Sequence, residues 1–126
     1  MFYAETLPKL PVAAAQARRL LERVRSELSE AAFQDARLLV SELVSNVIEH
    51  VGEEGDIEVR VEVSDGTLRV EVLDPGPGFT PPPLNPDPRK ESGWGLLFTD
   101  LVAERWAADN DGRARVWFEL DPLKAR

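Results

Sequence analysis

Three features of the sequence imply an α+β chain, folded as a two-layer sandwich with helices covering one face of a mixed, mostly antiparallel sheet. Apolar residues in much of the first fifty positions recur every three or four residues. From residue 56 the period changes to two, with Asp65-Gly66 between two alternating runs. A long Pro/Gly-rich interruption then separates those runs from two more, so about four strands are expected.

Residues 12–28 place Ala13, Ala17, Leu20, Leu21, Val24 and Leu28 at helical spacing, with Arg18, Arg19, Glu22, Arg23 and Arg25 between them. Pro11 suits the first turn of this helix. Ser29 can cap a second helix running to about Val51, with Gly52 as its stop. In "DIEVRVEV" (56–63), Ile57, Val59, Val61 and Val63 alternate with charged residues; in "TLRVEVLD" (67–74), Leu68, Val70 and Val72 do the same. Asp65-Gly66 makes a good two-residue hairpin turn between them. Repeated prolines in 75–93 forbid a helix or a central strand. A short helix is expected at about 95–102. Strands "ERWAAD" (104–109) and "RARVWFEL" (113–120) follow, turning at Asn110-Asp111-Gly112.

The 126 residues are enough for one domain with a real core and too few for two, and 43% hydrophobic content is ordinary for a globular protein, so a single domain over 1–126 is expected. The formal net charge of −8 argues against non-specific binding to nucleic acid or anionic membrane, which needs Lys and Arg to neutralise phosphate. It leaves room for a small phosphate ligand held by backbone N–H groups and a metal ion. With no cysteine, disulfides, thiolate chemistry and cysteine-ligated zinc are excluded. The N-terminus does not read as a signal peptide, and no run reaches the roughly 18 apolar residues of a membrane span; a cytoplasmic location is expected.

Three stretches carry chemistry. In "LLVSELVSNVIEH" (38–50), Glu42, Asn46 and His50 stand four residues apart along one edge of an apolar helix face, where polar groups can line a cleft. In "LDPGPGF" (73–79), Asp74 ends a strand, and Gly76 and Gly78 let the backbone pass close to a ligand. In "SGWGLLF" (92–98), Gly93 and Gly95 lead into a helix N-terminus, whose free N–H groups suit phosphate. Each alone has an ordinary reading: solvated helix residues, a turn leaving a strand, a loop entering a helix.

Taken in order, the three stretches resemble the boxes of the GHKL (histidine kinase-like) ATPase superfamily: "ELVSN" the N-box, "DPGPG" the first glycine box, "GWGL" the second. The resemblance covers about residues 35–120. It is nearest to the small bacterial anti-sigma factors that act as serine/threonine kinases, whose members look like "LVSELVTNAVRH", "DPGPGF" and "VWFEL"; here these read "LVSELVSNVIEH", "DPGPGF" and "VWFEL". The resemblance implies the Bergerat fold with ATP and Mg²⁺ as ligands. Asp74 would bind the adenine amino group, with Gly76 and Gly78 beside base and ribose. Asn46 would hold Mg²⁺, Glu42 would orient or deprotonate the attacking hydroxyl, and residues 80–92 would form a lid. Gly93 and Gly95, with Leu96 completing the box, would meet phosphate. The implied partners are a sigma factor and an anti-sigma antagonist, with no direct nucleic-acid or membrane contact; small relatives often pair, which leaves a homodimer open. Two positions depart from the pattern: Trp94 stands between the second-box glycines, where many relatives have Arg or His, and Arg115 stands just before "VWFEL", where many have a Thr near the adenine.

The expected function is therefore an ATP-binding regulatory kinase that sequesters a sigma factor and phosphorylates its antagonist. Three other readings stand beside it: a nucleotide-gated binding switch without kinase activity, a detached histidine-kinase-type catalytic domain, and an adaptor that no longer binds ATP. The second would need a phosphoacceptor helix with its own histidine, and the only histidine is His50.

Overall fold

The computed structural model describes residues 1–51, 55–74, 99–109 and 114–125. Strand β1 (Phe2–Pro8) leads into helix α1 (Val12–Glu22), and a 3₁₀ turn (Arg25–Glu27) leads on to helix α2 (Glu30–Val51). Strands β2 (Asp56–Ser64), β3 (Thr67–Asp74), β4 (Arg105–Asp109) and β5 (Ala114–Leu120) complete the sheet. A helical segment at 99–102 precedes β4. The sheet order is β1-β2-β3-β5-β4, and every described pairing is antiparallel. The layers are those expected from periodicity, and the sheet has one strand more.

Strand β1 escaped the periodicity reading for a physical reason. It is an edge strand, and only Leu7 is fully buried along "FYAETLP", so no two-residue alternation is required of it. The first helix is also shorter than its apolar spacing suggested. It ends at Glu22, and the buried Val24 is carried instead by the tighter turn that follows. Pro11 sits at its N-cap.

Helix α2 begins as expected. Ser29 Oγ accepts a hydrogen bond from the Ala32 N–H at 3.1 Å and donates to the Lys124 carbonyl at 2.6 Å. The cap thus satisfies an orphan N–H of the first turn and ties the C-terminal segment to the helix. Lys124 Nζ also meets Asp35 Oδ2 at 2.5 Å. Phe33, Ala36, Leu39, Val40, Leu43, Val44 and Val47 of α2 are buried against the sheet's inner face, with Val59, Val61, Val70, Val72, Val116 and Phe118 opposite. Removing such side chains from water is the main stabilising term, about 1.5–3 kcal/mol for each large one.

The β2–β3 hairpin turns on Asp65 (φ 50°) and Gly66 (φ 72°), both left-handed as a type I′ turn requires. Its strict alternation leaves the outer face of the sheet charged. There Arg69 donates to Glu71 at 2.9 Å and lies over the Trp117 ring, 4.0 Å from its centroid. No helix among the described residues is long and apolar enough to cross a membrane.

Candidate functional site

Topology brings two of the predicted residues, Asn46 and Asp74, to one end of the sheet. Helix α2 descends to this end before the chain enters β2 at Asp56, and Asp56 pairs with Pro8 at the end of β1. Asp74 ends β3 here and pairs with Ala114 at the start of β5. The C-terminal half of α2, the β1–α1 connection and the end of β3 therefore converge.

Asp74 is in phase with Leu68, Val70 and Val72, the inward residues of β3, and is 1% exposed. It is not a bare carboxylate. Lys9, in the link between β1 and α1 and itself 5% exposed, forms an ion pair with its Oδ2. The Lys9 backbone N–H donates to the Gly55 carbonyl at 3.3 Å, which fixes the link where it passes the start of β2. A carboxylate this deep without a counter-charge would cost several kcal/mol, and the ammonium offsets that cost. The sequence gives no hint of this pair, because lysines are almost always solvated.

Asn46 is 5% exposed, deeper than the helix edge expected for it. Its Nδ2 is buried with no hydrogen-bond partner among the described residues. Leaving such a group unpaired costs about 1–3 kcal/mol, so it calls for a ligand or a functional reason. The residue fits Mg²⁺. Turning the amide over exchanges its nitrogen and oxygen in nearly the same shape, so the orphaned position can present an acceptor oxygen to a hard cation.

Glu42 lies one turn before Asn46, about 6 Å along the axis, and is half-buried. It makes no hydrogen bond or ion pair among the described residues, so its carboxylate is uncommitted. His50 lies on α2; its side chain is outside the described residues, as are Gly76, Gly78, Gly93, Trp94, Gly95, Leu96 and the expected lid at 80–92. Thr99 stands just beyond the second glycine stretch, fully buried at the start of the helical residues 99–102, and was not anticipated.

Arg115 lies on the opposite face of the sheet from Asp74. It pairs with Leu73, and it alternates with the buried Val116 and Phe118, so its side chain is on the outer face of the sheet. Its charge is felt there by Arg60. A separate groove of about 560 Å³ lies between α1 and α2, lined among the described residues by Arg18, Gln34, Asp35, Arg37, Leu38 and Ser41, and neither Glu42, Asn46 nor Asp74 borders it.

A family model for the histidine kinase-like ATPase domain matches residues 7–119, and the chain belongs to that family. Domains of this family bind ATP, generally with Mg²⁺, and as a class support ATP-dependent phosphotransfer. Among solved structures, the catalytic domain of histidine kinase ThkA is similar in two nucleotide-free forms. The first has a TM-score of 0.59 at 21% identity over 98% of this chain and 97% of that one. The second has 0.58 at 18% identity over 98% and 99%. At this identity the likeness shows a shared fold. No curated protein sequence matches the chain significantly.

Proposed function

We propose that this protein is an ATP-binding anti-sigma regulatory factor that phosphorylates a serine or threonine of an antagonist protein and holds a sigma factor inactive. The observation that carries the nucleotide part is the buried Asn46 Nδ2, without a hydrogen-bond partner among the described residues, at the same end of the sheet as the buried carboxylate of Asp74. In this reading Asp74 reads the base, and Asn46 ligates Mg²⁺. Gly76, Gly78, Gly93, Gly95 and Leu96 line the nucleotide, as the boxes imply. When bound, Mg²⁺ would neutralise charge on the β- and γ-phosphates.

Glu42 is the group placed for the acid–base work. Its carboxylate is uncommitted and half-buried, one turn from the metal ligand. An incoming hydroxyl would form its bond to the γ-phosphorus as the bond to ADP breaks, and Glu42 would take the hydroxyl proton. Transfer of this kind rests on positioning and in-line geometry. The cytoplasm is the proposed location, and the sigma factor and antagonist are the proposed partners.

The ThkA likeness favours a second reading, a histidine-kinase-type catalytic domain serving a phosphoacceptor on another chain. That reading places the acceptor on another chain, so His50, the sequence's one histidine, is not required as the acceptor. The two readings separate by experiment. Proteins retained from native extract with ATP, but not without it, are purified and incubated with this protein and γ-labelled ATP. Acid-stable label on a retained partner, lost with Glu42→Ala while ATP still binds, is expected. Acid-labile label on a partner histidine would establish the second reading. ATP binding with no transfer to any partner would leave a nucleotide-gated switch.

A further inference from the structure

The groove between α1 and α2 carries arginines in a chain whose net charge is −8. We propose that it is a docking groove for an acidic segment of the protein partner, with carboxylates of that segment on Arg19 and Arg37 and an apolar side chain on Leu38. This inference rests on the reading that the protein acts on another protein, and it names the chemistry by which that partner is held.

Four observations carry it. The groove of about 560 Å³ adjoins a depression of about 200 Å³ bordered by Arg19; the two share Arg18 and Arg37, so they form one trough along the helix pair. Arg19 and Arg37 are exposed, and their side chains make no hydrogen bond or ion pair among the described residues. Arg18 is fixed in advance: its Nη1 donates to Ser41 Oγ at 2.8 Å, and that hydroxyl donates to the Arg37 carbonyl at 2.9 Å. The carboxylates that border the trough are turned to other cations, Asp35 to Lys124 at 2.5 Å and Glu22 to Arg25 at 3.4 Å. Leu38, 43% exposed, adds an apolar contact beside the guanidinium groups.

A trough lined by one sign of charge concentrates the field, and a guanidinium can take a carboxylate through two parallel N–H donors. The same net charge of −8 repels an extended polyanion such as a membrane surface or a nucleic acid, whereas a single acidic segment meets only the trough. The place also suits a substrate. Leu38 and Glu42 are four residues apart on α2, hence on one face and about 6 Å apart along the axis. A segment seated on Leu38 thus lies one turn from the candidate base, and its neighbouring residues can carry a hydroxyl there.

The test is fluorescence anisotropy at low salt. The probes are a labelled helical peptide of Glu, Ala and Leu, with leucines at i and i+4 flanked by glutamates, and the same peptide with Lys for every Glu. The wild-type protein should bind the Glu peptide saturably and the Lys peptide not at all, with affinity falling as salt rises. Arg37→Glu should weaken the Glu peptide at least about tenfold, because like charges then face each other. Arg105→Glu makes the same change in net charge on β4, outside the trough, and should cost less than about twofold. Arg37→Gln, which only removes the charge, should fall between wild type and Arg37→Glu, and it covers the case in which the reversal fails to fold. All three variants should bind ATP as wild type does by calorimetry. No binding of the Glu peptide, equal binding of the Lys peptide, or equal weakening by Arg37→Glu and Arg105→Glu would overturn the proposal. So would sedimentation of the protein with phosphatidylserine vesicles at the same salt when the peptide does not bind. Peptide binding as expected in a protein that binds no ATP would instead refute the nucleotide reading and leave the docking groove standing.

Discussion

Replacing Lys9 by methionine leaves the Asp74 carboxylate buried without the Lys9 ammonium. The size of the effect follows from burial: the two side chains are 6% and 1% exposed. A solvated pair would contribute about 0–1 kcal/mol. Removing one partner of a buried pair costs about 3–5 kcal/mol, because the other charge is stranded. Asp74→Asn strands the ammonium and should cost a similar amount. The double variant Lys9→Met/Asp74→Asn removes both charges and should cost no more than either single change, since neutral groups of similar size replace the pair. Urea unfolding reads all four proteins. With a slope of about 2 kcal/mol per molar, the single variants should unfold about 2 M earlier than wild type, and the double variant should not lie below them. Single-variant shifts under about 0.3 M, with the double equal to their sum, would show that the two side chains do not interact in a buried setting.

Asn46→Ala should weaken ATP binding more in Mg²⁺ than in EDTA, because it removes a metal ligand rather than a base contact; titrations in the two buffers would show equal weakening if Asn46 were structural only. Arg115→Ala should leave ATP affinity within about twofold of wild type, because the side chain lies on the opposite face of the sheet from Asp74; a tenfold loss by the same titration would place the arginine at the base after all.

The helix–sheet layering was readable because burial imposes a period. Val59, Val61, Val70 and Val72 must alternate to reach one core, and Leu39, Val40, Leu43, Val44 and Val47 must recur at helical spacing to face it. Turn and cap chemistry was equally local: Ser29 caps α2, and Asp65-Gly66 takes the left-handed conformation expected of it. Strand β1 was missed because an edge strand needs only one anchored residue, Leu7, and so leaves no pattern. The site divides in the same way. Glu42, Asn46 and Asp74 belong to short motifs whose spacing carries meaning, whereas Lys9 reaches Asp74 across 65 positions through the antiparallel pairing of β1, β2 and β3. Nothing near Lys9 in the sequence marks that contact. The face taken by Arg115 was not legible for a related reason: it depends on register with Leu73, not on proximity to "VWFEL".

Calorimetric titration of the wild-type protein with Mg-ATP and Mg-GTP, repeated on Asp74→Asn, asks most directly whether this end of the sheet is a nucleotide site read by Asp74. Saturable ATP binding is expected, with GTP bound far more weakly, and the preference should collapse in the variant, because an amide cannot offer two acceptor oxygens to the base and to Lys9. No heat of binding at millimolar ATP, or an ATP preference in Asp74→Asn as strong as in wild type, would contradict the account.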